Sequence, residues 1–345
     1  MQTATTEAAP QPTLQDKIGH LGRPGSYPDL TSRVEVVETH MSVVFLTDQH
    51  VYKLKKPVRH AYLDFSTLEA RRLDCLEEVR LNRRLAAQVY LGVVPLAATA
   101  EGLALEGGGT PVEWLVKMRR LPRASMLDHA MSQGTVTVED IERCMKTLCA
   151  FYLRSPAAPL TAPAYRERFT RDIEAHRIEL LDRAYRMELQ TVEAVAARLQ
   201  AFISDRAPLL DGRIAAKRVI EAHGDLRPEH VCLAPEPVFI DCMEFDRDLR
   251  LLDTADEAGY LALECDCAGS PHVGRSVLAA YRAHAHDDVP EPLLAFYQSQ
   301  RAMMRAKLAA WHIKDGLADG ARTRWLERAS RYLAYAEQRS AAAYR

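Results

Sequence analysis

The sequence predicts an α+β protein in which a small strand-rich part precedes a larger, mostly helical one. Three observations carry that prediction. Short segments rich in β-branched and aromatic residues, "VEVVETH", "SVVFLTD" and "HVYKLKK", lie close together near the start, separated by polar turns. Long amphipathic stretches such as "TVEDIERCMKTLCAFYLRS" and "LLAFYQSQRAMMRAKLAAWHIKDG" dominate from about Ser125 onward. Inside that helical part, "IEAHGDLRPEHVCLAPEPVFIDCMEFD" forms an island of short apolar, strand-like segments.

Taken in order, residues 1–30 mix Ala, Thr, Pro and Gly and predict a flexible tail. Residues 31–121 form the strand-rich part, with Thr47–His50 as a hairpin turn and one helix from Ser66. Ser66 is the expected cap of that helix, with Glu69 completing a capping box, and Leu68, Leu76, Val79, Leu81 and Leu85 make its apolar stripe. Strands return from Tyr90 to Leu121, turning at Gly107–Gly109, and residues 122–345 are the helical part.

Composition narrows the function classes. The chain has 345 residues, 48% hydrophobic and 27% charged, with a net charge of −2, so nothing electrostatic calls for nucleic acid or an anionic membrane as partner. Seven cysteines, scattered and without a CxxC pair, suit reduced thiols in a cytoplasm. Cys265 and Cys267 are too close for an ordinary zinc site. The first residues lack the apolar run of a secretory signal, and no stretch is long and apolar enough to span a bilayer. A soluble cytoplasmic protein is expected.

Two aspartates stand out. Asp225 follows Gly224 and precedes the constrained turn at Pro228, an arrangement that presents a carboxylate rigidly. Phosphoryl transfer to a hydroxyl uses such a carboxylate to orient the attacking oxygen and take its proton. Asp241 ends the apolar run "VFI", where it can hold Mg²⁺ against phosphate oxygens. Arg227 can read a phosphate or carboxylate with its planar fork, or simply pair with Glu229.

"HGDLRPEHV" followed by "FIDCMEFD" resembles the catalytic loop and metal segment of the aminoglycoside phosphotransferase and choline kinase-like family, whose pattern is HGDxxxxN followed by IDxx. The resemblance implies a protein-kinase-like two-lobed fold, with a nucleotide-binding N-lobe over 31–121 and a catalytic C-lobe over 122–345. It also implies that Asp225 is the base, supported by His223, and that Asp241 is the principal Mg²⁺ ligand, with Glu244 a lesser one. Where the family carries Asn, this chain has His230, an imidazole that can still approach a metal. "Val51-Tyr52-Lys53-Leu54-Lys55" offers two lysines on one strand face for the phosphates, and Glu78 of "Glu77-Glu78" the partner that holds one of them. Edge-strand lysines and a solvated glutamate face are the plainer reading of those residues. By order along the chain, the turn Thr39–Ser42 lies over the phosphates, with Ser42 in contact, and Leu115–Leu121, with Met118, occupies the adenine-binding hinge.

The resemblance is strongest to the phosphotransferase-like half of longer bacterial proteins whose other half is a P-loop kinase; no GxxxxGK[ST] occurs in these 345 residues. It implies a phosphotransferase that uses ATP and Mg²⁺ to phosphorylate a small hydroxylated substrate. His230 in the Asn position supports the alternative, a pseudokinase that binds nucleotide without efficient transfer.

Overall fold

The structure, a computed structural model, describes residues 12–60, 63–314 and 319–345. The chain divides into two compact units: Met1–Arg123 with Phe239–Asp246, and Ala124–Val238 with Arg247–Arg345. The sequence places 239–246 with the helical part, whereas here that segment belongs to the strand-rich unit.

In the first unit, α1 (Leu14–Leu21) precedes strands β1 (Glu35–Glu38), β2 (Ser42–Leu46) and β3 (His50–Lys55). A short pair, β4 (Arg59–His60) and β5 (Leu63–Asp64), leads to α2 (Leu68–Ala86) and then β6 (Tyr90–Thr99), β7 (Gly102–Leu105) and β8 (Thr110–Arg119). Six strands form one sheet in the order β1-β2-β3-β8-β6-β7, with antiparallel neighbours. The two-residue period of β3 assigns its faces. Tyr52 and Leu54 join Leu21, Val43, Phe45, Leu96 and Leu115 in an apolar cluster, while Lys53 and Lys55 point the other way, to carboxylates of α2.

Two local expectations change. The tail predicted for residues 1–30 falls outside the described residues over 1–11, but 14–21 are helical. A Thr13–Asp16 capping box starts α1. Lys17 ties it down, with its Nζ 2.8 Å from Val112 O and 2.9 Å from Glu113 Oε2. In α2 the cap is Thr67, whose hydroxyl accepts from Ala70 N at 3.1 Å, not Ser66. Ser66 is drawn off by Asp64, to which both its amide and its hydroxyl donate. Within the predicted stripe Val79, Leu81 and Leu85 are buried and Leu76 is exposed.

The second unit contains α3 (Leu127–Gln133), α4 (Val138–Arg154), α5 (Ala162–Leu180), α6 (Leu189–Asp205) and α7 (Ala207–Ala215). Short strands β9 (Val219–Glu221), β10 (Val231–Cys232), β11 (Val238–Phe239, where the chain leaves this unit) and β12 (Leu251–Asp253) follow, then α8 (Thr254–Cys267), α9 (Pro271–Ala285), α10 (Glu291–Trp311) and α11 (Asp319–Ala342). Every residue of α8 from Thr254 to Cys265 is buried, so this helix is the centre of the unit. Its polar groups have partners: Asp253 caps it and pairs with Arg213, while Arg301 grips Asp256 with two bonds of 2.8 Å. Antiparallel pairing of β12 with β9 sets where the loop after β9 begins. No described helix is long and apolar enough to cross a membrane. The seven cysteines are free thiols.

Glu113 is 1% exposed and is shared by Lys17 and, through two bonds of 2.8 and 2.9 Å, by Arg71. Removing one member of such a set strands buried charge. Glu113→Ala is therefore expected to cost about 3–5 kcal/mol in urea denaturation. Glu69→Ala, which breaks only an exposed pair with Arg72, should leave the midpoint nearly unchanged.

Candidate functional site

In the first unit, Lys53 Nζ lies 3.0 Å from Glu78 Oε1 and 2.9 Å from Asp241 Oδ1. Lys55 Nζ lies 2.7 Å from Glu78 Oε2, 2.5 Å from Asp74 Oδ2 and in contact with Glu244. Glu78 thus sits between the two lysines, fully buried, with one oxygen on each. Glu77, the other glutamate of the pair, turns to Arg80 one helical turn on. Burial works against the Lys53 ammonium, but Asp241 and Glu78 outweigh it and hold its pKa well above the ordinary lysine value. The Lys55 pKa is raised in the same way, by Glu244 and Glu78 against burial. Burial also raises the Asp74 carboxyl, and Lys55 opposes that shift.

Asp241 is set by its backbone. Its φ of +59° is unusual for a residue with a side chain, and such outliers persist where surrounding contacts hold them. The contacts are visible. Asp241 N–H donates to Tyr90 Oη at 3.0 Å, and Cys242 N–H donates to Asn82 Oδ1 at 2.8 Å. Asn82 Nδ2 in turn donates to Glu78 O at 2.9 Å, so one buried amide links the helix carrying Glu78 to the segment carrying Asp241. Sequence reasoning passed over Asn82 and Tyr90. The available signal was Asn82 four residues after Glu78, on the same helical face.

The donor set suits a hard divalent cation. Lys53 and Lys55 oppose Asp74, Glu78, Asp241 and Glu244, and two cations against four anions leave an excess of two negative charges. Asp241 is the exposed carboxylate, at 47% of its side chain against 10% for Glu244 and none for Glu78. One accessible carboxylate beside excess negative charge is the protein's usual share of a Mg²⁺–phosphate site, where water and phosphate oxygens complete the shell.

Ser42 and Met118 belong to the same sheet. Ser42 pairs in register with Lys55, and the turn before it is closed by bonds between Thr39 and Ser42. Met118 lies inside the sheet between Val51 and Tyr90. Its backbone takes part in strand pairing one residue before β8 ends. Past the strand, Arg120 N–H donates to Gln49 O.

The second unit holds the loop after β9. Gly224, at φ +92°, makes the bend that Gly alone adopts readily. Glu257 Oε1 accepts the amides of His223 at 2.9 Å and Gly224 at 2.7 Å, while Tyr152 donates to its Oε2 at 2.8 Å. A buried carboxylate of α8 therefore fixes the loop backbone, and burial raises its pKa against those donors. Asp225 Oδ2 pairs with Arg227 at 3.0 Å, and Oδ1 accepts from Tyr260 at 3.2 Å. Arg227 also binds Glu229 at 2.5 Å. Glu257 and Tyr260 follow the "Asp253-Thr254-Ala255-Asp256" run within α8, but nothing local ties them to a loop more than thirty residues earlier.

His223 is wholly buried, and its Nδ1 lies 3.4 Å from the Asp225 amide. The ring thus faces the backbone of its own loop. His230 Nδ1 faces Asp225 O at 2.7 Å, and Nε2 faces Arg227 at 3.1 Å. A carbonyl can only accept and a guanidinium only donate, so the proton belongs on Nδ1 and the Nε2 lone pair is directed at Arg227. The expected metal contact of His230 would need Arg227 to leave first.

Three comparisons bear on this geometry. The model of the Phosphotransferase enzyme family matches residues 46–262. The uncharacterized protein Rv2004c of Mycobacterium tuberculosis and the uncharacterized protein Mb2027c of Mycobacterium bovis are each 30% identical over 291 residues, covering 84% of this chain and 57% of theirs. This chain thus spans little more than half the length of those relatives. A thermostable mutant of the aminoglycoside phosphotransferase APH(4)-Ia, in apo form, superposes with a TM-score of 0.52 at 12% identity, covering 88% of this chain and 95% of that one. The chain belongs to the Phosphotransferase enzyme family and has a protein-kinase-like fold.

Because Asn82 bridges Glu78 and Cys242, Asn82→Ala should cost about 1–3 kcal/mol, the range for stranding buried partners. Hydrogen exchange should localise the damage. Amides of 239–246 are expected to exchange faster in the variant, with α10 unaffected.

Proposed function

We propose that the chain is an ATP-dependent phosphotransferase acting on a hydroxyl of a small molecule. The observation that carries this reading is the contact of Lys53 with Glu78 and Asp241 together: an ammonium fixed by a buried glutamate, beside an exposed carboxylate on a strained backbone. Lys53 would hold phosphate oxygens of the nucleotide, and Asp241 would hold Mg²⁺. When bound, the metal neutralises charge on the phosphates. Asp225 would orient the acceptor hydroxyl and take its proton as the oxygen attacks the terminal phosphorus and ADP leaves. Arg227 and Tyr260 keep the Asp225 carboxylate aimed, so the protein contributes alignment and charge placement more than covalent chemistry.

A cytoplasmic setting fits the scattered cysteines, which are all free thiols. One observation favours a second reading. His230 stands where the family has Asn, and its ring is occupied by Arg227 and the Asp225 carbonyl. A chain restricted in that way would bind nucleotide and transfer poorly.

Asp225→Ala tests the assignment of the base. Stabilisation by ATP with Mg²⁺ should persist in the variant, while phosphoryl transfer across a panel of hydroxylated acceptors should fall by about a hundredfold or more. Full turnover in Asp225→Ala would remove Asp225 from that role. Nucleotide stabilisation of the wild type, with no transfer to any acceptor, would favour the second reading.

A further inference from the structure

Lys55 lies two residues from Lys53 on the same face of β3, yet the two side chains have different surroundings. Lys53 keeps 13% of its side chain exposed, enough to meet a ligand, whereas Lys55 keeps 1%. The Lys55 ammonium is enclosed by Asp74, Glu78 and Glu244, which leaves no side for a phosphate. One ammonium among three carboxylates is more negative charge than a buried lysine needs for its own neutralisation.

Two of those carboxylates matter elsewhere. Glu78 is the partner of Lys53. Glu244 stands three residues after Asp241 on the same strapped segment. The affinity of a site for a hard dication on its own rises with the number of charged oxygen ligands it offers. We propose that Lys55 is a positioning residue that keeps Glu244 off the metal and Glu78 on Lys53, so that the site offers a divalent cation one exposed carboxylate, Asp241, and binds it together with nucleotide instead of alone. This rests on the phosphotransferase reading. The charge balance agrees with it: the cluster's excess of two negative charges matches one dication, and without Lys55 the excess would be three.

The test uses Mn²⁺ as a spectroscopic stand-in for Mg²⁺, titrated without nucleotide and read by electron paramagnetic resonance of the free ion. Lys55→Met should bind Mn²⁺ about tenfold more tightly than wild type, because Glu244 is then released to join Asp241 as a second carboxylate ligand. Its stabilisation by ATP with Mg²⁺ should shrink as Glu78 is released. Glu244→Gln alone should leave the wild-type Mn²⁺ affinity in place, and added to Lys55→Met it should erase the gain. A merely structural Lys55 predicts loss in every readout, so a gain cannot come from damage.

No gain in a folded Lys55→Met would overturn the proposal. So would Glu244→Gln weakening Mn²⁺ as much as Asp241→Asn, a comparison that decides even if Lys55→Met does not fold. If ATP with Mg²⁺ fails to stabilise the wild type, the nucleotide reading falls and this inference falls with it. Stabilisation of the wild type without the gain removes this inference alone.

Discussion

A carboxylate taken wholly out of water needs cations against it, and Glu78 has one on each oxygen. That arrangement determines much of the first unit. It requires two lysines on one face of β3, which the strand period supplies, and it requires α2 to lie along that face. Each lysine then reaches past Glu78 to the segment 239–246, Lys53 to Asp241 and Lys55 to Glu244. Strand, helix and segment are joined through charges that none of them could bury alone. The Coulombic gain is largest where water is excluded, so moving any one of these groups would disturb the others.

The second unit applies the same physics to a loop. Glu257, buried in α8, takes two backbone amides of the bend at His223–Gly224 and the hydroxyl of Tyr152. With the backbone held from beneath, the Asp225 side chain needs only Arg227 and Tyr260 to fix its direction. His230 closes the turn from the other side through the Asp225 carbonyl. Residues inside the protein thus hold one partly exposed carboxylate.

What the sequence disclosed follows from the range of each interaction. Periodicity of two placed Lys53 and Lys55 on one face, and local chemistry marked Gly224, Asp225 and Pro228 as a presented turn. The sequence could not separate Lys53 from Lys55, because the difference lies in what encloses them. The cap of α2 was misplaced by one residue because Asp64 competes for Ser66. Helix α1 was missed because its anchor, Glu113, lies 96 residues from Lys17. Asn82, Tyr90, Glu257 and Tyr260 escaped notice for the same reason: their partners are distant in sequence, and a single Asn or Tyr carries no local mark of such a role. Met118 was placed by chain order alone, and it falls one residue before the end of β8.

Lys53, Glu78 and Asp241 are proposed to form a metal–nucleotide site. The most direct measurement is thermal stability of the wild type and Asp241→Ala with Mg²⁺ alone, ATP alone, and both together. A protein that binds the pair is stabilised in proportion to ligand concentration over affinity. The wild type should be stabilised most by both together, and Asp241→Ala, folded as well as the wild type, should lose that increment. Equal stabilisation of the two proteins, or none in the wild type, would contradict that proposal.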